Sequence, residues 1–307
     1  MGVSLAEYMR SVQVKDPKLA GVVKIFTMNA PILGDSQNLG ARLPSLKWEN
    51  TVGGAISWVR EKTAATTAWR AVGTEFVATT GETEKVSEDL KVGGGKVEID
   101  RVLLKRGDMN GVVTQQTMLI SSFARTWNAA FYKGDGNNNS FTGLQTRISG
   151  SQSVDNLGGG INLYALDKIL LDIRGTDKVI VMGAGVAARL MQAAKTSTNV
   201  NYTPANYGQS PATYNGIPIL LAGEDNTEAE ILGFTEAGDT SSVYVLSLGD
   251  TGVVGAQTAP LELVYTDPNK VDSGYIVEWD NNYIIKTKRS AYRLRNIIDA
   301  AANSEAP

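Results

Sequence analysis

The 307-residue sequence contains no cysteine and no histidine. Without cysteine there is no disulfide, no thiolate nucleophile and no thiolate metal ligand. Without histidine the commonest general base near neutral pH is missing, and with it the usual serine or cysteine triad and most zinc sites. Carboxylates, lysine and serine remain, but Gly-x-Ser-x-Gly elbows and Walker loops are absent. No apolar run approaches the ~18 residues a membrane span requires. The opening MGVSLAEYMRSVQVKDPK lacks the apolar region of a signal peptide, and Ala6 stands where a myristoylation signal wants Ser or Thr. The expectation is a protein made and kept in a cytosol-like compartment. A net charge of −3 carries no chain-wide nucleic-acid footprint. With 42% apolar and 20% charged residues, the composition is that of an ordinary globular chain of about two domains.

What is present is organised around Asn110–Lys133, NGVVTQQTMLISSFARTWNAAFYK. Val112, Val113, Leu119, Ile120, Phe123, Trp127, Ala130 and Phe131 lie mostly three or four apart, which predicts one apolar stripe on a helix. At ~1.5 Å per residue, such a helix reaches about 36 Å. Asp108 or Asn110 suits its start, and Gly134 stands where a left-handed C-terminal residue is wanted.

Residues 1–42 read as an arm, with a helical piece over Lys18–Met28 halted by Pro31. In 43–75, the alternation Ile56, Trp58, Arg60 and the pair Gly53-Gly54 predict a hairpin. Trp48, Trp58 and Trp69 fall there beside Lys47, Arg60, Lys62 and Arg70, residue types enriched at interface centres. An isolated hairpin is marginal in water, so this one needs a surface to lie on. Phe76–Thr80 and Gly95–Lys105 read as strands. Glu82, Glu84, Glu88 and Asp89 between them read as a solvated edge, with basic groups of a neighbour as a possible complement. Gly134–Leu144 imitates a calcium loop, but Ser140 and Thr146 stand where Gly and a bidentate Glu are needed, so it reads as a turn.

From Ile161 the elements alternate. Tyr164–Gly175 and Gly185–Lys195 read as helices, Lys178–Met182, Ser241–Gly249 and Leu261–Thr266 as strands, and Tyr214–Gly223 as a turn and strand, with a polar loop over 196–213. Tyr275–Ile297 reads as a hairpin turning at Asp280-Asn281-Asn282 and joining the sheet of Lys96–Lys105. Its cations Lys286, Lys288, Arg289, Arg293 and Arg295 suit a solvated face or an acidic partner, with a nucleic-acid backbone as the other reading.

The sharpest enzyme signal is Gly183-Ala184-Gly185-Val186-Ala187-Ala188 after the strand Lys178–Met182, a match to the dinucleotide fingerprint. Two features oppose it. There is no Asp or Glu between Asp177 and Glu224 to hold a ribose, and a polar loop with a hairpin-like strand follows instead of a βαβ unit.

The order of parts resembles the major capsid proteins of tailed bacteriophages, the Hong Kong 97-like α+β fold. Three segments carry the resemblance. Asn128–Gly136 with Phe141-Thr142-Gly143-Leu144 is similar to the family's spine helix and its following turn; Tyr214–Ile219 is similar to its axial-domain strand; Glu278-Trp279, Tyr283 and Arg293 are similar to its last peripheral strands. The resemblance implies an arm (1–42), an extended loop over a neighbour (43–75), a peripheral domain (76–150, spine helix 110–133, with return strands and C-terminus over 262–307) and an axial domain (151–261). It implies a self-assembling icosahedral shell of pentamers and hexamers in a virion, assembled in the host cytoplasm. The partners implied are a separate scaffolding protein, a portal, a decoration protein, and double-stranded DNA held without sequence-specific binding. No enzyme activity, cofactor or metal is implied. Interface candidates are Trp48, Trp58, Arg60, Lys62, Trp69, Arg70, Glu82, Glu84, Lys286, Arg289 and Arg293. Lys62 and Asn281 or Asn282 are the residue types of a subunit crosslink, but with no carboxylate assigned none is expected. An encapsulin-type compartment and a nucleotide-dependent enzyme using Gly183–Ala188 are the competing readings.

Overall fold

In the computed structural model, the long helix α1 runs Met109–Lys133. Its buried positions are Ile120, Phe123, Ala124, Trp127, Asn128, Phe131 and Tyr132, three or four apart as the sequence requires. Among the side chains described, from Val113 on, Val113 is exposed and the stripe joins the core at Leu119 and Ile120. The structure describes residues 3–4, 29–33, 44–100, 102, 109–137, 139–196, 201–203, 212–266 and 272–302. The expected helix Lys18–Met28, the Asp108 cap, most of the 196–213 loop and the far end of the Gly95–Lys105 strand lie outside these residues.

Two sheets flank the helix. The first holds β1 (Val3–Ser4), β2 (Lys47–Asn50), β12 (Val253–Gln257), β14 (Asp272–Ile285) and β13 (Glu262–Thr266), with β5 (Lys91–Asp100) on the other side of β14. The second runs β6 (Ser153–Asp155), β15 (Ala291–Ile298), β11 (Thr240–Ser247), β7 (Lys178–Met182), β10 (Ile217–Leu221), β9 (Thr213–Tyr214) and β8 (Tyr202–Thr203). Helices α3 (Leu163–Asp172) and α4 (Ala184–Thr196) belong to this second half, and the one-turn α2 (Leu144–Arg147) follows the turn after α1. Asn162 caps α3 by accepting the Ala165 N–H at 3.1 Å. Asn215 and Gly216 both take positive φ, the two-residue turn that an Asn-Gly pair favours between β9 and β10.

Helix α1 approaches the first sheet closely because β5 carries Gly93-Gly94-Gly95. A Cβ on Gly93 would stand 2.9 Å from the Phe123 ring, and one on Gly95 would stand 2.8 Å from Leu119. Trp48, Trp127, Phe131, Phe141, Trp279 and Tyr283 then form one aromatic core, with ring centroids 4.6–6.2 Å apart along Trp48–Trp279, Trp48–Trp127, Trp127–Phe131 and Phe131–Tyr283.

Several expectations change here. Gly134 is not left-handed. It is glycine because a Cβ would lie 2.4 Å from the Phe141 carbonyl oxygen and 2.5 Å from that of Ala130. Gly134→Ala is therefore expected to cost about 1–3 kcal/mol, since backbone must move; differential scanning calorimetry would read it, and an unchanged Tm would refute the close approach.

The closing hairpin is instead one fourteen-residue strand, β14. Asp280-Asn281-Asn282 does not turn because its amides are satisfied inside. Asn281 accepts the Trp127 indole N–H at 2.7 Å, and Asn282 donates to the Asp89 carbonyl at 2.6 Å. The alternation Val277, Trp279, Asn281, Tyr283 simply continues along one buried face.

The expected strand Phe76–Thr80 has no regular structure, and the hairpin forms between β3 (Ala55–Thr63) and the acidic run itself, β4 (Glu82–Asp89). Two strands also exchange places relative to the domain limits read from sequence. Strand β12, within 151–261, pairs with β2 and β14 in the first sheet, whereas β15, within 262–307, pairs with β6 and β11 in the second. Lastly, β7 and β10 are parallel neighbours joined through α4, so a crossover does follow the glycine fingerprint.

Candidate interaction surface

The β3–β4 hairpin is a two-stranded sheet of its own. Its root is small: Ile56, Val86 and Leu90 rest on Val254, Ala256 and Ile284 of the first sheet. Beyond the root the segment 64–81 is exposed throughout and lacks regular structure. Trp69 and Val72 are fully exposed, Val77 is 87% and Phe76 66% exposed. The Arg70 guanidinium lies 5.1 Å from the Phe76 ring centroid and donates to the Thr74 carbonyl at 2.9 Å. Apolar side chains gathered on a projecting tip, with one arginine among them, have the composition of an interface core.

The acidic run finds its complement within this chain. Glu84 accepts from Arg60 at 3.0 Å, with Lys288 at 4.0 Å; Lys62 meets Glu82 at 2.9 Å; Arg147 meets Glu88 at 3.0 Å. The Arg60 hydrogen bond and charge hold the Glu84 carboxyl below the ordinary glutamate range.

The sequence-predicted residues therefore divide. Trp69 and Arg70 stand at the tip, Trp58 is partly exposed on β3, and Lys62, Glu82 and Arg289 lie on the surface. Trp48 does not: it is 2% exposed, in contact with Trp279 in the core. Lys286, 3% exposed, sits 2.5 Å from Glu49 and 4.3 Å from the Trp58 ring centroid. Arg293 is likewise enclosed, paired with Glu236 at 2.8 Å. A cation read as free from sequence serves here to neutralise a carboxylate that the fold covers. Asn281 and Asn282 are buried as well, out of reach of a crosslinking lysine. The sequence reading missed Val72, Phe76 and Val77 as surface groups; the absence of any period over 64–81 was the available signal.

The glycine fingerprint has its anion already. Glu230 Oε1 accepts from the Ala184 N–H and, at 3.4 Å, from the Gly185 N–H at the start of α4. The Phe234 ring lies where a Cβ on Gly185 would be, 2.7 Å away. A carboxylate of this chain thus occupies the helix terminus that a pyrophosphate would need. Among the described residues no three acidic side chains converge as a metal site would require, and no helix is long and apolar enough to cross a membrane.

Comparison with known proteins gives a family and a fold. The model described as "Phage capsid family" matches residues 29–250. No curated protein matches the sequence. Among solved structures, the capsid of a native GTA particle is similar with a TM-score of 0.62 at 14% identity, covering 86% of this chain and 90% of that one. A Mycobacterium phage Bobi structure gives 0.58 at 8% identity, covering 91% of each chain. The SrpI encapsulin of Synechococcus elongatus gives 0.59 at 12% identity, covering 85% and 89%.

Proposed function

We propose that this chain, which belongs to the phage capsid family, closes copies of itself into a shell by seating its hairpin tip on a neighbour. It is a major capsid protein, a structural component of the virion with the Hong Kong 97-like fold. The observation that carries the assembly reading is the fully exposed Trp69 among Val72, Phe76 and Val77, on a tip that joins no hydrophobic cluster of the described residues. Such a tip and the surface that receives it are two different patches, so the contact is heterologous and closes into rings. Five- and six-membered rings tiled into an icosahedron multiply each weak contact.

In this reading residues near 1–42 tie subunits together, the first sheet with α1 is the peripheral domain, and the second sheet with α3 and α4 is the axial domain. Trp58, Arg60, Lys62, Trp69, Arg70, Glu82, Glu84 and Arg289 remain the contact candidates. Assembly takes place in the host cytoplasm with a separate scaffolding protein and a portal, a decoration protein can bind outside, and double-stranded DNA is held inside without sequence readout. The protein works without enzymatic chemistry. What supports this is the absence of histidine and cysteine together with the Glu230 carboxylate seated at the one cofactor-like turn.

The encapsulin likeness favours a second reading, a compartment for protein cargo, because the fold is shared. Negative-stain electron microscopy of the purified protein, with its absorbance ratio at 260 and 280 nm, separates the two. Closed shells or five- and six-membered rings are expected, with nucleic acid inside those from infected cells. Shells holding only protein would favour the compartment, and a uniform monomer at high concentration under crowding would overturn both.

A further inference from the structure

The hairpin's direction is set by few contacts. At its root, Gly53 and Gly54 take φ of 100° and 73°, and a Cβ added at either would meet nothing within 4 Å, so no side-chain packing fixes the exit angle there. The apolar root is confined to Ile56, Val86 and Leu90. On one flank a cleft of about 530 Å³ separates β4, at Val86 and Glu88, from the loop Ile148–Gln152, so the described residues of that loop do not pack on the hairpin there.

Besides the Asn282–Asp89 hydrogen bond and the longer Lys288–Glu84 pair, one guanidinium reaches the hairpin on that flank. Arg147, 10% exposed, donates from Nε to the Thr142 carbonyl at 2.8 Å and from Nη1 to the Tyr283 carbonyl at 2.6 Å. From Nη2 it donates to Asn282 Oδ1 at 3.1 Å and to Glu88 Oε2 at 3.0 Å, and its plane lies 4.1 Å from the Tyr283 ring centroid. Every contact but Glu88 is to the body, so the planar fork is fixed before the hairpin is added. On β3, Trp58 lies on the same hairpin face as Glu88, with Lys286, anchored on Glu49, 4.3 Å from its ring centroid.

We propose that the Arg147–Glu88 pair sets the angle at which the hairpin leaves the body, and that these two are positioning residues for shell assembly. The assembly half rests on the shell reading above. A nine-residue strand is about 30 Å long. A lean of about 10° at the root therefore moves the tip about 5 Å, more than the seat of a buried aromatic tolerates.

Because the chain has no cysteine, Thr66→Cys and Leu171→Cys are the sole attachment points for a pair of spin labels. In dispersed protein the label-to-label distance distribution is expected to be narrow with Glu88, broadened about twofold in E88A, and intermediate in E88Q, which keeps an acceptor for Arg147. Without labels, E88A is expected to need about tenfold more protein before shells appear, with circular dichroism unchanged and Tm lowered by no more than about 5 °C, because Arg147 keeps its three other acceptors; E88Q falls between. Glu88 is on the hairpin and partly exposed, so its variants fold even if an R147A control does not. An E88A distance distribution identical to the parent's overturns the positioning claim. A broadened distribution with an unchanged assembly threshold overturns its link to assembly. Failure of the parent itself to assemble counts against the shell reading, and the distance measurement still decides the angle.

Discussion

Replacing residues 64–81 by Asn-Gly is expected to leave a folded chain that no longer assembles. Thr63 and Glu82 are cross-strand partners, and Asn-Gly supplies the two-residue turn such a pair accepts. The removed segment joins no core cluster of the described residues, and shortening the loop ninefold lowers its closure cost by about 2 kcal/mol, at ~0.6 kcal/mol per halving. Tm is therefore expected to be kept or to rise by about 3 °C, and not to fall. Each intersubunit contact, however, loses Trp69 and Phe76. If each is worth about 2 kcal/mol when seated, the contact weakens by about 4 kcal/mol, roughly a thousandfold. Trp69→Ala alone would weaken it about thirtyfold. Light scattering against concentration, with electron microscopy of the plateau, checks both. Shells formed by the truncated chain at the parent's concentration would remove the tip from the mechanism.

The second large effect lies inside the chain, at Arg293. Its Nη2 is 2.8 Å from Glu236 Oε2 and its Nε is 2.9 Å from Ser242 Oγ, while the Ser242 hydroxyl donates to the same Glu236 oxygen at 2.8 Å. The side chains of the pair are 11% and 8% exposed. Arg293→Ala leaves the Glu236 carboxylate covered without its cation, which costs about 3–5 kcal/mol. Tm should fall on the order of 10 °C. Replacing both partners together (Arg293→Met with Glu236→Leu) removes the unpaired charge, and should return stability to within about 1 kcal/mol of the parent. Calorimetry of the three chains decides it. A loss below about 1 kcal/mol in Arg293→Ala would mean that water reaches Glu236. The direction also separates the two roles offered for Arg293, since an interface cation would lower assembly and leave Tm unchanged.

The local elements could be read from the sequence because their causes are local. The 3.6-residue spacing of Ile120, Phe123, Trp127 and Phe131 gave the long helix, and the period of two gave β5. Asn215-Gly216 gave a turn, since side chains seldom accept two successive positive φ values. The order of these parts was enough to point to the capsid family, and the missing histidine and cysteine to narrow the chemistry.

What a residue meets across the fold is not written in its own segment. Asp280-Asn281-Asn282 looks like a turn until Trp127 and Asp89 supply its hydrogen bonds, and the acidic run looks like a free edge until Arg60, Lys62 and Arg147 arrive. Trp48 and Trp69 are the same residue type in similar basic surroundings, yet one is sealed against Trp279 and the other faces solvent. The exchange of β12 and β15 between sheets has the same origin. Periodicity records which face of a strand is apolar, whereas the neighbour it pairs with is chosen by contacts between residues far apart in the chain, and those exist only once the tertiary structure has formed.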